Sequence, residues 1–74
     1  MSTDSPVLFY LEEPLYGYSQ PVRAGDVVIV DYKWSIDDGK PFVVISALSF
    51  GFIRGLCDGE LVEFRPSELK PVQH

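Results

Sequence analysis

Few residues of this chain belong to the types that do chemistry, and their spacing gives little support to an active site. The chain has 74 residues and carries one cysteine, Cys57, and one histidine, His74, at its last position. A cysteine nucleophile needs a base beside it, and a terminal histidine, which is expected to fray, is poorly placed for that role. A single cysteine also allows neither an internal disulfide nor a thiolate metal site. We expect Cys57 to be a small, half-buried apolar residue.

The adjacent acids Asp37 and Asp38 are the other candidates for chemistry. Two carboxylates can act as an acid and base pair, or bind Ca²⁺ together with oxygens such as those of Asp58 and Glu60. The ligand spacing of calcium loops is absent from the sequence, and aspartates directly before Gly39 are typical of a turn. Phosphate loops, paired histidines and nucleophile elbows are absent as well. We therefore expect no enzyme activity, no metal and no cofactor.

The aromatic residues are more informative. They make up 14% of the chain, which is more than so small a domain can bury completely. Because aromatic side chains dominate the energetic centres of protein interfaces, Tyr16, Tyr18 and Trp34 are candidate anchors of a binding surface. Neighbouring acids would form a rim that steers a basic partner. That rim consists of Glu12, Glu13, Asp37 and Asp38.

Net charge narrows the kind of partner. Eleven acidic residues and six basic residues give a formal charge of −5 at pH 7. This charge repels phosphate backbones, and the bases are scattered singly along the chain. We expect a protein partner and disfavour nucleic acid, with pairing to a second copy as a further alternative.

Strands rather than helices are expected to position these residues, because turn signals interrupt the chain at short intervals. Residues 26–36 alternate in polarity, which predicts a half-buried strand. One of its faces carries Val28, Val30, Tyr32, Trp34 and Ile36. The other predicted elements are strands over 7–11, 41–50, 61–65 and 71–72, an apolar arm over 52–57, hairpin turns over 37–39 and 58–59, a bend between Gly51 and Gly55, and a 3₁₀ or tight turn over 66–69.

These elements predict an all-β fold, a small five- to six-stranded antiparallel barrel with a long, aromatic-bearing N-terminal loop over 12–25. We expect a flexible N-terminus over 1–6 and a single β-barrel domain over 7–72. No apolar run is long enough to span a bilayer, and the first residues lack the basic start of a signal peptide. The expected location is cytoplasmic, with no membrane association.

Apolar residues occur on both faces of the strand that begins after Asp26. Val28 and Val30 point to one face, and Val27 and Ile29 point to the other. One face is expected to form the core. The other needs a cover, for which the 12–25 loop, a second copy and a partner are the three alternatives.

The segments GDVVIV (25–30) and VEFRPSELKPV (62–72) resemble the frame of SH3-like small barrels, in which a Gly-Asp turn opens a strand and a short turn precedes the last one. The pattern is similar to KOW-type domains of transcription and ribosomal proteins, and to the small SH3-like subunit of photosynthetic NDH complexes. This resemblance implies contacts with peptides, nucleic acid or larger assemblies. The chain is acidic where KOW domains are basic.

The segment GDVVIVDYKWSIDDGKPF (25–42) also resembles the early strand and hairpin of FKBP-type prolyl isomerases. The resemblance places Tyr32 and Phe42 at positions of pocket aromatics. The chain departs from that family at Val43, where the family has an aspartate. It also lacks the segment and helix that the family inserts between FIRGL (52–56) and the residues that follow.

The function that these observations favour is a non-enzymatic protein-binding module. It would be a small acidic accessory or regulatory subunit that docks on a larger, basic protein, for example a phage-type protein that binds a host factor. The first alternative is a nucleic-acid-binding SH3-like or KOW barrel. The second is a truncated FKBP-like prolyl isomerase.

Overall fold

The computed structural model describes residues 5–13 and 17–72, so that residues 1–4 of the predicted N-terminal segment lie outside the described part. The described residues form β-strands and two 3₁₀ helices, Ser49–Gly51 and Pro66–Glu68. The strands are β1 (Phe9–Glu13), β2 (Tyr18–Val22), β3 (Val27–Val30), β4 (Pro41–Ala47), β5 (Ile53–Cys57), β6 (Glu60–Phe64) and β7 (Leu69–Lys70). None of the described segments is a helix long and apolar enough to cross a membrane.

The strands form two antiparallel sheets. β1 and β2 pair as a hairpin, and the other strands form a five-stranded sheet in the order β6-β5-β4-β3-β7. The predicted all-β antiparallel fold is confirmed. The five-stranded sheet is not closed into a barrel, because its two edge strands, β6 and β7, do not pair with each other.

Several predicted turns are present. Asp58 and Gly59 join β5 to β6 with φ angles of 54° and 80°, and two positive φ angles are typical of the type I′ turn that suits a two-residue hairpin. Before β7, the 3₁₀ turn is held by the Glu68 carboxylate, which accepts a hydrogen bond of 3.0 Å from the Arg65 N–H. The bend predicted between Gly51 and Gly55 is not at that place, because β5 begins at Ile53; the other 3₁₀ turn precedes it, and the register shift of the sheet falls in β4 between Val44 and Ser46.

The strand predicted over residues 26–36 ends at Val30. Beyond it, turn hydrogen bonds replace the strand ladder: Gly39 donates to the Val30 carbonyl over 2.7 Å, and the Tyr32 N–H donates to Asp38 Oδ1 over 2.8 Å. Tyr32, Trp34 and Ile36 therefore do not continue the face of Val28 and Val30, and the prediction that they share it is wrong. They lie on the connection over residues 31–40.

The segment predicted as a long loop over 12–25 is also different from expectation. It contains β2 and the end of β1, paired from Phe9 with Val22 to Glu13 with Tyr18. Pro21 is compatible with β2 because this strand has a free edge, where the missing N–H breaks no ladder bond. The hairpin is stabilised by burial of Leu11 and Val22, which are both in the core.

The core lies between the hairpin and the inner face of the five-stranded sheet. Phe42 is its largest fully buried side chain and meets Phe64 edge-on, with 5.6 Å between ring centroids. Gly55 lies against Phe42, and a Cβ at this position would come within 2.6 Å of the Phe42 Cζ atom. The buried apolar residues are Leu11, Val22, Val28, Val30, Phe42, Val44, Ile53, Cys57, Phe64 and Leu69.

Replacement of Gly55 by alanine tests this packing. The added methyl group has no space between Phe42 and the β4 backbone, so Gly55→Ala is expected to lower the free energy of unfolding by about 1–3 kcal/mol in urea titrations. The control is Glu60→Ala, at an exposed position of the same sheet, with an expected change within about 0.5 kcal/mol. Equal unfolding midpoints for Gly55→Ala and the unmodified protein would contradict the packing.

Candidate functional site

The outer face of the five-stranded sheet carries a continuous row of apolar side chains. The strand register places Val27 beside Val43, Val43 beside Leu56, and Leu56 beside Leu61, so the row crosses four strands. Val27 is 45% exposed, Leu56 is 37% exposed and Leu61 is 63% exposed. We call Val27, Val43, Leu56 and Leu61 the outer row. Cross-strand neighbours on one face lie about 4.5–5.5 Å apart, so the row is one surface and not four isolated residues.

The outer row has an apolar border and a polar border. Ile29 and Pro41, paired across β3 and β4, extend the apolar surface toward the 31–40 connection. On the other side, Arg54 of β5 lies between Ser46 and Glu63 in the register. Arg54 Nη2 is 3.0 Å from Glu63 Oε2, and both side chains are half-exposed. Arg54 donates through Nε and Nη2 to the same oxygen, Oε2, so within the described residues Glu63 Oε1 accepts no hydrogen bond.

The N-terminal hairpin does not cover the outer row. Its buried residues, Leu11 and Val22, belong to the core with Val28 and Val30, on the face opposite Val27. The described part of the 12–25 segment therefore packs on the inner face. Of the three covers predicted for the second apolar face, the described part of the 12–25 segment is therefore not one, and a second copy and a partner stay predictions.

The 31–40 connection, which joins β3 to β4, carries exposed aromatic and apolar side chains. Trp34 is 87% exposed, Ile36 is also exposed, and Tyr32 is partly exposed. Asp38 accepts a hydrogen bond from the backbone of Tyr32, as expected of turn aspartates. The Asp37 N–H donates to Ser35 Oγ over 3.0 Å. The connection is thus an ordered turn that leaves its indole ring in solvent.

One ionic cluster attaches this connection to the turn between β5 and β6. Lys40 Nζ lies 2.7 Å from Asp58 Oδ2 and 3.6 Å from Asp37 Oδ1. The hydrogen bond to Asp58, followed by the charge of the same carboxylate, raises the pKa of the Lys40 amine above its ordinary value. Lys40 therefore stays charged at neutral pH, and its charge is already compensated.

Cys57 is an inert core residue in this geometry. It is 2% exposed, more deeply buried than the sequence predicted. Burial raises the pKa of the Cys57 thiol, and the charges of Asp37 and Asp58 raise it further. A thiol held in its neutral form is a poor nucleophile and a poor metal ligand. Across the described residues no group of three or more His, Cys, Asp and Glu side chains is arranged to hold a metal ion.

The residues predicted to bind a partner fall into two groups. Tyr16 lies outside the described residues; Tyr18 pairs with Glu13 at the end of the hairpin, and Glu12 is exposed beside them. Trp34, Asp37 and Asp38 lie on the 31–40 connection. In the described ranges, no hydrogen bond or ion pair joins the hairpin to that connection. The anchors and the acidic rim stay a prediction.

Sequence reasoning identified Val27 as part of a second apolar face and missed Leu56 and Leu61. The signal for these two leucines is the alternation in IRGLC and ELVEF, where buried and exposed positions follow one another. That alternation alone does not show that both leucines lie in one row with Val27. The row depends on strand register, which residues distant in sequence determine.

Phe50 is a separate exposed aromatic residue at the other end of β4. It is 93% exposed and has a φ of 64°, in the left-handed region that bulky residues avoid. This conformation costs about 1–2 kcal/mol for a residue with a Cβ atom, and the side chain gains little packing in return. Strained residues of this kind are frequent at functional sites.

Comparison of the chain with protein-family models, with curated protein sequences and with solved structures found no match.

Replacement of Phe50 by glycine tests the strained turn. Glycine adopts a positive φ freely, so Phe50→Gly is expected to raise the free energy of unfolding by about 0.5–1 kcal/mol, after allowance for the greater freedom of glycine in the unfolded chain. The control is Ser49→Gly, because Ser49 precedes Phe50 and has no positive φ. This substitution should lower the free energy of unfolding. A similar loss of stability in both variants would show that Phe50 is not strained.

Proposed function

We propose that this protein is a non-enzymatic protein-binding module, a small acidic accessory or regulatory subunit that docks on a larger protein through the outer face of its five-stranded sheet. The observation that supports the proposal is the outer row. In a chain with a charge of −5, four apolar side chains from four strands lie side by side on a face that the hairpin leaves open. An exposed patch of this kind is typical of an interaction surface.

The size of a stable interface indicates which further residues take part. A standard interface buries about 800 Å² on each partner, more than one row of four side chains supplies. The adjoining Ile29 and Pro41 enlarge the surface. The proposal adds Trp34 and Ile36, two exposed side chains of the connection that joins the strands of Ile29 and Pro41. Trp34 is the strongest candidate anchor. A tryptophan buried at the centre of an interface often contributes about 2 kcal/mol or more to the free energy of binding.

The partner's surface is expected to be basic around an apolar centre. The net charge of −5 favours association with positively charged proteins. Such charges around an interface act mostly on the rate of association and on its salt dependence, whereas the apolar centre determines how slowly the complex dissociates.

The two alternative functions receive less support from the surface. A nucleic-acid-binding face needs clustered free cations, and two of the six basic residues, Arg54 and Lys40, are already paired with Glu63 and Asp58. The isomerase resemblance implies an accessible pocket around Phe42, and this residue is completely buried against Phe64. Both alternatives stay predictions drawn from the sequence alone.

A capture experiment with matched variants tests the proposal. The tagged protein is incubated with lysate of the source organism, with and without nuclease, and retained proteins are quantified by mass spectrometry. The double variant Leu56→Ser/Leu61→Ser is expected to retain a nuclease-resistant partner in an amount at least about tenfold lower. Two apolar side chains are lost from the interface, and about 1.4 kcal/mol of binding free energy corresponds to a factor of ten in affinity.

Tyr10→Ser is the matched control, since it removes an exposed aromatic side chain from the hairpin and not from the outer face. Its retained partner should be unchanged, whereas Trp34→Ala should reduce it. Equal retention by the double variant and the unmodified protein would contradict docking on the outer face. Retention that nuclease abolishes would instead favour the nucleic-acid-binding alternative.

A further inference from the structure

Strand β6 forms an open edge of the five-stranded sheet. In the described residues it pairs with β5 on one side and with no strand on the other. A free edge presents backbone N–H and C=O groups that can form a ladder with an added strand. The chemistry of the side chains along this edge determines which strand would fit.

The hairpin geometry identifies the backbone groups that point away from β5. Cys57 and Glu60 flank the two-residue turn, and residues in this position of a tight hairpin form a hydrogen-bonded pair. Because hydrogen-bonded and non-hydrogen-bonded pairs alternate, Leu61 and Glu63 direct their N–H and C=O groups to the open edge. These two residues also have their side chains on the outer face, beside Leu56 and Arg54.

The outer face thus reaches the edge with one apolar and one acidic side chain. Leu61 is the last member of the outer row, and Glu63 is the last member of the polar border that contains Ser46 and Arg54. A strand added beside β6 would place one side chain next to each of them. An apolar side chain beside Leu61 would extend the outer row. A lysine or arginine beside Glu63 would place this carboxylate between two cations, Arg54 on β5 and the basic residue on the added strand.

We infer that the partner supplies an extended segment that pairs with β6 as an additional strand of the sheet, with an apolar residue beside Leu61 and a basic residue two positions away beside Glu63. The inference rests on the proposed function, because the added strand lies on the edge of the same outer face. Backbone hydrogen bonds would give affinity, and the two side chains would give specificity.

A second copy of this chain fits the edge less well than such a segment. The antiparallel register that pairs β6 with itself over its full length is centred on Val62, and it places each Leu61 beside the Glu63 of the other copy. A register that brings the two Glu63 residues together opposes like charges, which destabilises a strand pair. In neither register does Glu63 receive a cation, which a basic segment would supply.

Selection from a library of random ten-residue peptides tests the inference. The unmodified protein should enrich peptides with an apolar residue and a lysine or arginine two positions apart. The double variant Arg54→Glu/Glu63→Lys keeps the ion pair and reverses the charge at the edge, so it should enrich aspartate or glutamate at that position instead. The same preference for basic residues in both proteins would overturn the inference. A selection that enriches no peptide would also overturn it, and this outcome is expected if the acidic residues only protect the edge from pairing.

Two measurements on the best selected synthetic peptide separate strand addition from other docking on the outer face. N-methylation at the alternate positions that face β6 should weaken binding by about tenfold, and N-methylation at the positions between them should change it by less than about twofold. In the protein, the amide hydrogens of Leu61 and Glu63 should exchange fast when free and slowly when bound.

A failure of this inference can be distinguished from a failure of the proposed function. A peptide whose binding is lost in Leu56→Ser but shows neither the alternating N-methyl effect nor protection of the two amides would support the outer face as a docking site and overturn strand addition. A peptide whose binding is unaffected by Leu56→Ser and also shows neither of these two effects would contradict both.

Discussion

Burial of apolar side chains against the inner face of one small sheet is the interaction on which the rest of this structure depends. A chain of 74 residues has little interior, so the core must be dense. Phe42 fills its centre, and Gly55 permits this because the strand beside it carries no side chain there. The N-terminal hairpin completes the core with Leu11 and Val22. The hairpin can cover one face only, and the inner face is the one it covers.

The open outer face follows from that packing. Val27 and Val28 are neighbours in sequence, yet Val28 is completely enclosed while Val27 lies at the surface of the outer row. Leaving Leu56 and Leu61 in contact with water forgoes part of the hydrophobic stabilisation that a small domain needs. A partner that covers the row would supply the missing burial, so that binding and stability become linked. Trp34 is exposed on the connection between β3 and β4.

Local turn chemistry made part of the fold predictable from the sequence. Asp58-Gly59 and the 3₁₀ turn before Leu69 depend on neighbouring residues, and both were predicted. The end of β3 at Val30 was not predicted, because the alternation of apolar residues continues to Ile36. In the structure, turn hydrogen bonds to Asp38 and to the Val30 carbonyl replace the strand ladder. The outer row could be predicted only in part. The apolar face of β3 is visible in the sequence, whereas the alignment of Val27 with Leu61 requires the register of four strands.

The most direct test of this account is methyl relaxation in the free protein with a water-soluble paramagnetic agent, measured by NMR. The account predicts strong relaxation of the Val27, Leu56 and Leu61 methyl groups and weak relaxation of those of Val22 and Val28, because the first three lie on the open face and the other two lie in the core. Equally weak relaxation of both sets, with contacts from the hairpin to Leu61, would show that the hairpin covers the outer row and would contradict the account.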